Sequence, residues 1–510
     1  MRASTPGGRC RCEAMTARAF VIDQARCIGC HACTVACKVE HGTELGVFRT
    51  WVKSVDAGVY PQARRSFAVL RCNHCARPPC VAICPVGALF RRTDGIVEFD
   101  SERCIGCKAC LNACPYDALH IDPASGTAAK CNFCAHRIEL GRAPSCELAC
   151  PTGAILSGDL DDPEDLISRR LAGAQRVVRA PEKDTDPKLF YLAPDPAVLD
   201  PLAPRREAGY LTTELPRSQH PDPRGPRGAA LVTADVAHPP PWGWKVSSYF
   251  VTKGIAAGAM MLAAPLHELA PGRSGVGLDV LALGAIGVTG ALLVGDLRRP
   301  ARFLSLFLRP QWGSWLARGA FVVAVAAGLA ALALVFGVLG WRTPLIVCDW
   351  CCLPAGAALA GYSALLFGQC AGRELWRSPL LPAHTIAAAL LAGVGALGVL
   401  AAFAHGSAVP RAALAVTLAT AAAVSAGIAG FDAWRSTATA HLRRAVRELR
   451  GARRVRFAVL AGVVGPVGLA VAFLADGGPG LLALAGASVL AGLWCYEDGW
   501  VRAGQSVPLS

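Results

Sequence analysis

At 510 residues the chain has room for two or three domains, and its two halves differ sharply in composition. The hydrophobic share of 53% is carried from Val246 onward by Ala, Gly, Leu and Val, while most of the Cys residues precede residue 240. The formal charge of +14 would suit nucleic acid, but in the second half Arg clusters between apolar spans, a pattern of membrane-flanking loops rather than of a binding groove.

Residues 1–15 read as a disordered N-terminus. Met1 to Ala14 contains neither an apolar leader core nor a twin-Arg signal, and Met15 is a credible start. Cys10 and Cys12 then fall outside the fold, and the first strand begins at Phe20 to Asp23.

Twenty-three Cys are far more than a globular enzyme carries without a use for them. Tight C-x2-C repeats beside a large apolar half argue against the disulfide frameworks of small secreted domains. Four groups follow one another: Cys27, Cys30, Cys33 and Cys37; Cys72, Cys75, Cys80 and Cys84; Cys104, Cys107, Cys110 and Cys114; Cys131, Cys134, Cys146 and Cys150. Pro85, Pro115 and Pro151 close the last three groups, and Lys38 stands in that place in the first. The third group is spaced C-x2-C-x2-C-x3-C-P. In such a run three thiolates wrap one cubane, and the fourth is turned away by a short helical segment toward a neighbouring cluster. A zinc site gains nothing from the third Cys at that spacing. Sixteen thiolates are the number that four [4Fe-4S] clusters require.

Spacing leaves open which groups exchange their fourth Cys; adjacency suggests the second with the third, and the first with the fourth. His31, His74 and His136 lie beside or between ligands and, with the Cys set complete, read as packing or hydrogen-bonding residues. The segments Pro85 to Leu89, Pro115 to Leu119 and Pro151 to Ile155 repeat one phrase, a turn leading into a short strand. Ile96 to Asp100 and Phe20 to Asp23 are matching strands entering Cys loops. Tandem units of this kind form an α+β ferredoxin-like domain over residues 16–200, whose small core depends on its metal for folding. Lys188 to Leu199 is expected to pack on that domain, before a Pro-rich linker over 201–242.

Residues 243–500 predict an all-α membrane domain of eight transmembrane helices, near 246–266, 277–295, 319–341, 353–371, 384–404, 412–430, 457–475 and 480–496, with a tail at 501–510. Loops on the ferredoxin side hold sixteen Arg between Arg298 and Arg502, against Arg273, Arg342 and Arg411 on the other. That bias places the ferredoxin domain on the cytoplasmic face of a bacterial inner membrane.

Ionisable groups inside hydrocarbon are usually functional. Lys245, Tyr249 and Lys253 recur every four residues and share a face of the first span. Tyr249 and Lys253 are candidates to meet a quinone headgroup, while Lys245 suits snorkelling to lipid headgroups. Tyr362 and Gln369, seven apart on the fourth span, would line the same cavity. Cys348, Cys351 and Cys352 read as plain thiols of a loop on the far side, and Cys370 and Cys495 as small buried hydrophobes.

With these residues in view, 16–200 resembles the four-cluster subunit of the complex iron–sulfur molybdoenzyme family, as in polysulfide, tetrathionate and dimethyl sulfoxide reductases. Residues 242–500 resemble the polysulfide reductase-type membrane anchor, through the run from Trp242 to Phe250 and the run from Asp296 to Phe303. The resemblance implies that groups one and four share two clusters and groups two and three the other two. It further implies a quinone site at the start of the first span, taking menaquinone or ubiquinone, and a separate molybdopterin catalytic subunit as partner. Many relatives of this type face the periplasm, against the loop-charge count. The expectation is therefore a membrane-bound electron-transfer component between the quinone pool and that partner. A ferredoxin-driven ion or solute transporter is the rival, predicting intramembrane acids, of which the spans show few. A structural zinc protein tethered to the membrane is a second rival, which iron and acid-labile sulfide analysis of the purified protein would separate.

Overall fold

The computed structural model of the protein describes residues 17–206, 230–269, 276–400, 415–425, 427, 438–451, 465–471 and 479–510. Met15, Cys10 and Cys12 lie outside them, as do Arg273, Arg411, Arg435, Arg453, Arg454 and Arg456 of the loop-charge count.

The N-terminal half is built from small sheets that hold the Cys loops between them. Within strand β1 (Arg18–Asp23), Ala19 to Ile22 form an unbroken apolar run because both faces of the strand are covered. Phe20 and Ile22 join the main core, while Ala19 and Val21 pack with Ile167, Leu171 and Phe190. After β1 come the antiparallel pair β2 (Thr50–Ala57) and β3 (Arg64–Arg71). Two hairpins follow, β4 (Leu89–Arg91) with β5 (Val97–Phe99), and β6 (Leu119–Ile121) with β7 (Ala128–Lys130). Strands β8 (Ile155–Asp159), β9 (Arg176–Val177) and β10 (Leu189–Leu192) complete the first sheet, in the order β8-β1-β10-β9, with β10 parallel to β1. Each of the three repeated phrases does run from its Cys-Pro turn into a strand: β4, β6 and β8. Within the stretch expected to be linker, β11 (Leu231–Ala234) pairs with β2 and extends the second sheet.

Six helices are long and apolar enough to cross a membrane among the described residues: α1 (Trp244–Leu269), α2 (Val276–Asp296), α3 (Trp315–Leu339), α4 (Arg342–Gly368), α5 (Leu381–Leu400) and α6 (Pro479–Ser506). The expected spans 412–430 and 457–475 fall partly outside the described residues; the apolar helix Ala415–Ser425 lies within the first. Helix α1 is the hub, packed on α2, α4, α5 and α6. Its apolar window is 72% buried, against 17% for α3, so α1 is interior and α3 faces outward. Gly258 makes the α1–α5 crossing close: a Cβ there would sit 2.1 Å from Ala389 O and 2.8 Å from Gly393 Cα.

Three boundaries differ from expectation. Helix α4 begins at Arg342, so Cys348, Cys351 and Cys352 are helical and not in a loop. Helix α6 continues ten residues past the expected end at 496, which brings Glu497 and Asp498 into the helix. The segment after it does not trail into solvent: Val507, Leu509 and Ser510 are buried. Arg373 donates to Val507 O at 2.9 Å, Arg179 to Leu509 O at 2.5 Å, and Leu509 N–H to Asp117 at 3.2 Å. The tail is thus clamped into the ferredoxin-like half.

Candidate electron-transfer site

Each Cys loop turns through a left-handed residue that aims backbone N–H groups at sulfur. Gly29 and Gly106 both lie at φ 69°, and His31 and Lys108 take the same region where the short helices begin. The N–H groups of Gly106, Ala88 and Ala154 donate to the Sγ of Cys104, Cys84 and Cys150 at 3.4, 3.2 and 3.2 Å. Glycine is required at 106 for a second reason. A Cβ there would lie 2.6 Å from Arg298 Cβ, because the loop packs directly on the membrane half.

The thiols gather across the groups. Cys37 is close enough to Cys131, Cys134 and Cys146 to feel their charge, and Cys27 to Cys150 and Cys30. Cys75 stands in the same relation to Cys72 and Cys114, and Cys107 to Cys84 and Cys104. The fourth Cys of each group therefore stands among the first three of another, first with fourth and second with third. Between these sets, Cys33 neighbours Cys146, Cys131 neighbours Cys72, and Cys110 neighbours Cys80.

Sets of four soft thiolates, with backbone donors aimed at them, fit cubane clusters. A cavity bounded by Cys84, Cys104, Cys107 and Cys110 agrees with that fit. Without iron, burial pushes Cys33 up to about 11 and Cys107, Cys114 and Cys131 up to about 12, so these positions are costly for free thiolates. Arg71, fully buried, donates to Cys146 Sγ at 3.0 Å. Burial works against its charge, yet the thiolates of Cys146, Cys131 and Cys33 hold its pKa above the ordinary arginine range. His74 accepts from Val97 N–H at 3.1 Å, and His136 pairs with Glu40 at 2.7 Å, so both are engaged with protein groups. Ser145, His136 and Arg137 hold Glu40 down at about 2, tying the first Cys group to the fourth.

The third group docks on the membrane half. Trp242 Nε1 donates to Cys107 O at 3.2 Å, Arg298 N–H to Gly106 O at 3.3 Å, and Arg302 to Cys104 O at 3.1 Å. Lys108 pairs with Asp296 at 2.8 Å. Against this contact lies an apolar cavity of about 210 Å³, lined by Cys107, Trp242, Val246, Tyr249, Asp296, Phe303 and Tyr362 among others. A more polar cavity on the other side of the Lys108–Asp296 pair includes His120, Asp122, His238 and Arg298.

Of the expected cavity residues, Tyr249 and Tyr362 line the apolar cavity. Lys253 lies behind Tyr362, its Nζ 4.9 Å from that ring, donating to Ser363 Oγ at 2.5 Å and to Ala360 O at 3.1 Å. Gln369 is elsewhere. Its amide accepts from Trp315 N–H at 2.9 Å and donates to Gly313 O at 2.8 Å, ordering the entry to α3, and it is not among the cavity residues. A shared helix face brings residues to one side but does not say which neighbour they meet. Lys245 donates to Gly295 O at 2.7 Å.

Sequence reasoning missed Arg71, Asp296, Ser363 and Glu497. Ser363 adjoins Tyr362, and an ionisable residue within reach of an apolar span was the signal for Glu497; nothing local distinguishes Arg71. It also missed carboxylates at the far end of the membrane half. Asp349 pairs with His267 Nδ1 at 2.7 Å, and Asp279 lies near Asp349. Cys348 and Cys352 are buried there and Cys351 is exposed.

The fold and the thiol sets define a class: an iron–sulfur electron-transfer subunit fused to a multi-pass membrane anchor. Residues 24–40 match a 4Fe-4S binding domain, residues 64–160 a 4Fe-4S dicluster domain, and residues 234–498 the family described as Polysulphide reductase, NrfD. The chain belongs to this NrfD family, with the iron–sulfur domain joined to it. A tetrathionate reductase subunit of Salmonella typhimurium is 44% identical over 193 residues, covering 37% of this chain and 77% of that protein. Thiosulfate reductase electron transfer subunit PhsB of Salmonella typhi is 43% identical over 163 residues, 31% of this chain and 83% of the relative. Protein NrfC of Escherichia coli is 40% identical over 174 residues, 34% of this chain and 78% of the relative.

Proposed function

We propose that the protein passes electrons between a membrane quinone and a separate molybdopterin catalytic subunit, through four [4Fe-4S] clusters. The observation that carries this is the position of Cys107, in one wall of the cavity whose other walls hold Tyr249 and Tyr362. Quinone rings need apolar walls and a few hydrogen-bond partners, which this cavity supplies. Bound clusters supply one-electron carriers, matching a two-electron carrier in the membrane to a protein relay.

The ligands we assign are Cys27, Cys30, Cys33 and Cys150 for the outermost set, then Cys131, Cys134, Cys146 and Cys37. Cys72, Cys75, Cys80 and Cys114 come next, and Cys104, Cys107, Cys110 and Cys84 lie at the membrane. The outermost set includes exposed Cys30 beside exposed Ile28, Val35 and Val39, an apolar patch suited to the catalytic partner. The loop Arg excess supports an inner-membrane location with the iron–sulfur half on the cytoplasmic face.

The test is anaerobic mixing of the purified protein with menaquinol or ubiquinol analogues. Clusters should bleach with the quinol, and Leu297→Trp, which fills the cavity, should abolish bleaching while iron and acid-labile sulfide stay unchanged. Bleaching at the unaltered rate in Leu297→Trp removes the cavity from the proposal, and absence of iron removes the function. A second reading, a ferredoxin-driven ion transporter, is favoured by one observation, the Asp279, Asp349 and His267 cluster inside the far half of the membrane domain. Cluster oxidation in sealed vesicles without ion movement would eliminate it.

A further inference from the structure

The apolar cavity has little polar lining, yet a quinol that becomes a quinone must release two electrons and two protons. The two phenols, Tyr249 and Tyr362, are 4% and 6% exposed and lie within hydrogen-bonding reach of Ser363, which is fully buried. Ser363 Oγ in turn accepts from Lys253 Nζ. On its other side Lys253 faces a water-sized cavity of about 20 Å³ between α1, α4, α5 and α6, whose lining also includes Glu497 and Thr385. Lys253 and Glu497, 2% and 6% exposed, are the charged residues lining that cavity. A buried ammonium and carboxylate facing a small cavity are costly in an apolar bundle and have a use to match.

We infer that Ser363, Lys253 and Glu497 form the proton relay of the quinone site, with Glu497 as its terminal proton acceptor. This rests on the quinone reading of the first cavity. During quinol oxidation, Lys253 hands a proton to the Glu497 carboxylate. It takes another from the cavity side, through the Ser363 hydroxyl and a tyrosine hydroxyl that hydrogen-bonds the substrate. Glu497 gives up the first proton to water before the cycle repeats, so two cycles remove both protons, while the two electrons leave singly to the iron–sulfur clusters, the oxidant. Quinone reduction runs the same steps backward.

The groups facing this relay, among the described residues, are few. Helix α1 supplies Tyr249 and Lys253, α4 supplies Tyr362 and Ser363, and α6 supplies Glu497. Helix α5 supplies Thr385 and, beside it, His384, whose ring lies 5.5 Å from that of Tyr496. Asp498 points away, accepting from Ser247 and pairing with Arg502. The competing exit is the Lys108–Asp296 pair, which separates the first cavity from the polar one near His120.

The experiment uses the full-length, cluster-loaded protein with Glu497→Gln, Glu497→Asp and Asp296→Asn. Binding of a non-reducing quinol analogue, cluster signals after dithionite, and rate of quinol-driven bleaching are measured together. Electrochemically triggered infrared difference spectra report the carboxyl groups. Glu497→Gln should keep analogue binding within about twofold and lose at least about 100-fold in bleaching rate, the scale of a lost proton-transfer group. It should also lose one carboxyl band from the difference spectrum, with Glu497→Asp restoring part of the rate. Bleaching within about twofold of the unaltered protein, or loss of the band and rate in Asp296→Asn instead, overturns the relay. Failure of the analogue to bind the unaltered protein overturns the quinone reading as well, so the two failures are distinguishable.

Discussion

Replacing Arg71 by Met should lower the midpoint potential of the cluster we assign to Cys37, Cys131, Cys134 and Cys146. The guanidinium is completely buried, donates to Cys146 Sγ at 3.0 Å, and lies 4.5 Å from the Phe20 ring centroid, so solvent screens it little. Reducing a cluster adds one elementary charge near this cation. With that charge spread over a cluster-sized volume about 6 Å away and an effective dielectric of about 20, the attraction is about 3 kcal/mol. A tenfold change in a one-electron equilibrium corresponds to about 59 mV, so the loss amounts to roughly 130 mV. Potentiometric titration followed by electron paramagnetic resonance reads it directly. Arg71→Lys, which keeps the charge, should shift less than half as far. A shift under about 20 mV in Arg71→Met, with all iron retained, would refute the reasoning.

Iron removal exposes a pH dependence. Burial raises the thiols of Cys107, Cys114 and Cys131 from 9.0 to about 12, so in the iron-free protein the folded state holds protons more tightly than the unfolded one. That contribution is complete below pH 9 and is lost as pH rises from 9 through about 12. Circular dichroism melts of chelated protein should therefore fall in Tm over that window while loaded protein does not; parallel curves count against it. Gly258→Val should force α1 from α5, at a cost of about 1–3 kcal/mol, seen as a lower Tm in detergent. Equal Tm values would mean that the crossing yields. Arg179→Ala with Arg373→Ala removes cation-assisted bonds to the tail, each worth about 1.5–3 kcal/mol. Limited proteolysis should then release the ferredoxin-like half faster, with dithionite-reducible clusters intact; an unchanged cleavage pattern would show that the tail is dispensable.

Thiolate ligation is a local problem, because three ligands of a cubane come from one short loop, and so the Cys groups, their turns and the strands after them were legible in order. Apolar length is likewise local, which made the six described membrane helices recognisable, with end errors where Cys348 to Cys352 and Glu497 extend them. The N-terminal part was therefore readable as a small ferredoxin-like α+β region before any contact was known. Which distant segments meet is not a local property. Only the tertiary structure sets Cys37 among Cys131, Cys134 and Cys146, aims Arg71 between two thiol sets, and gives Gln369 to Gly313 and Trp315 instead of the cavity. It alone brings Ser363 and Glu497 to either side of Lys253, because helices that pack together are joined by crossings whose partners no single periodicity encodes.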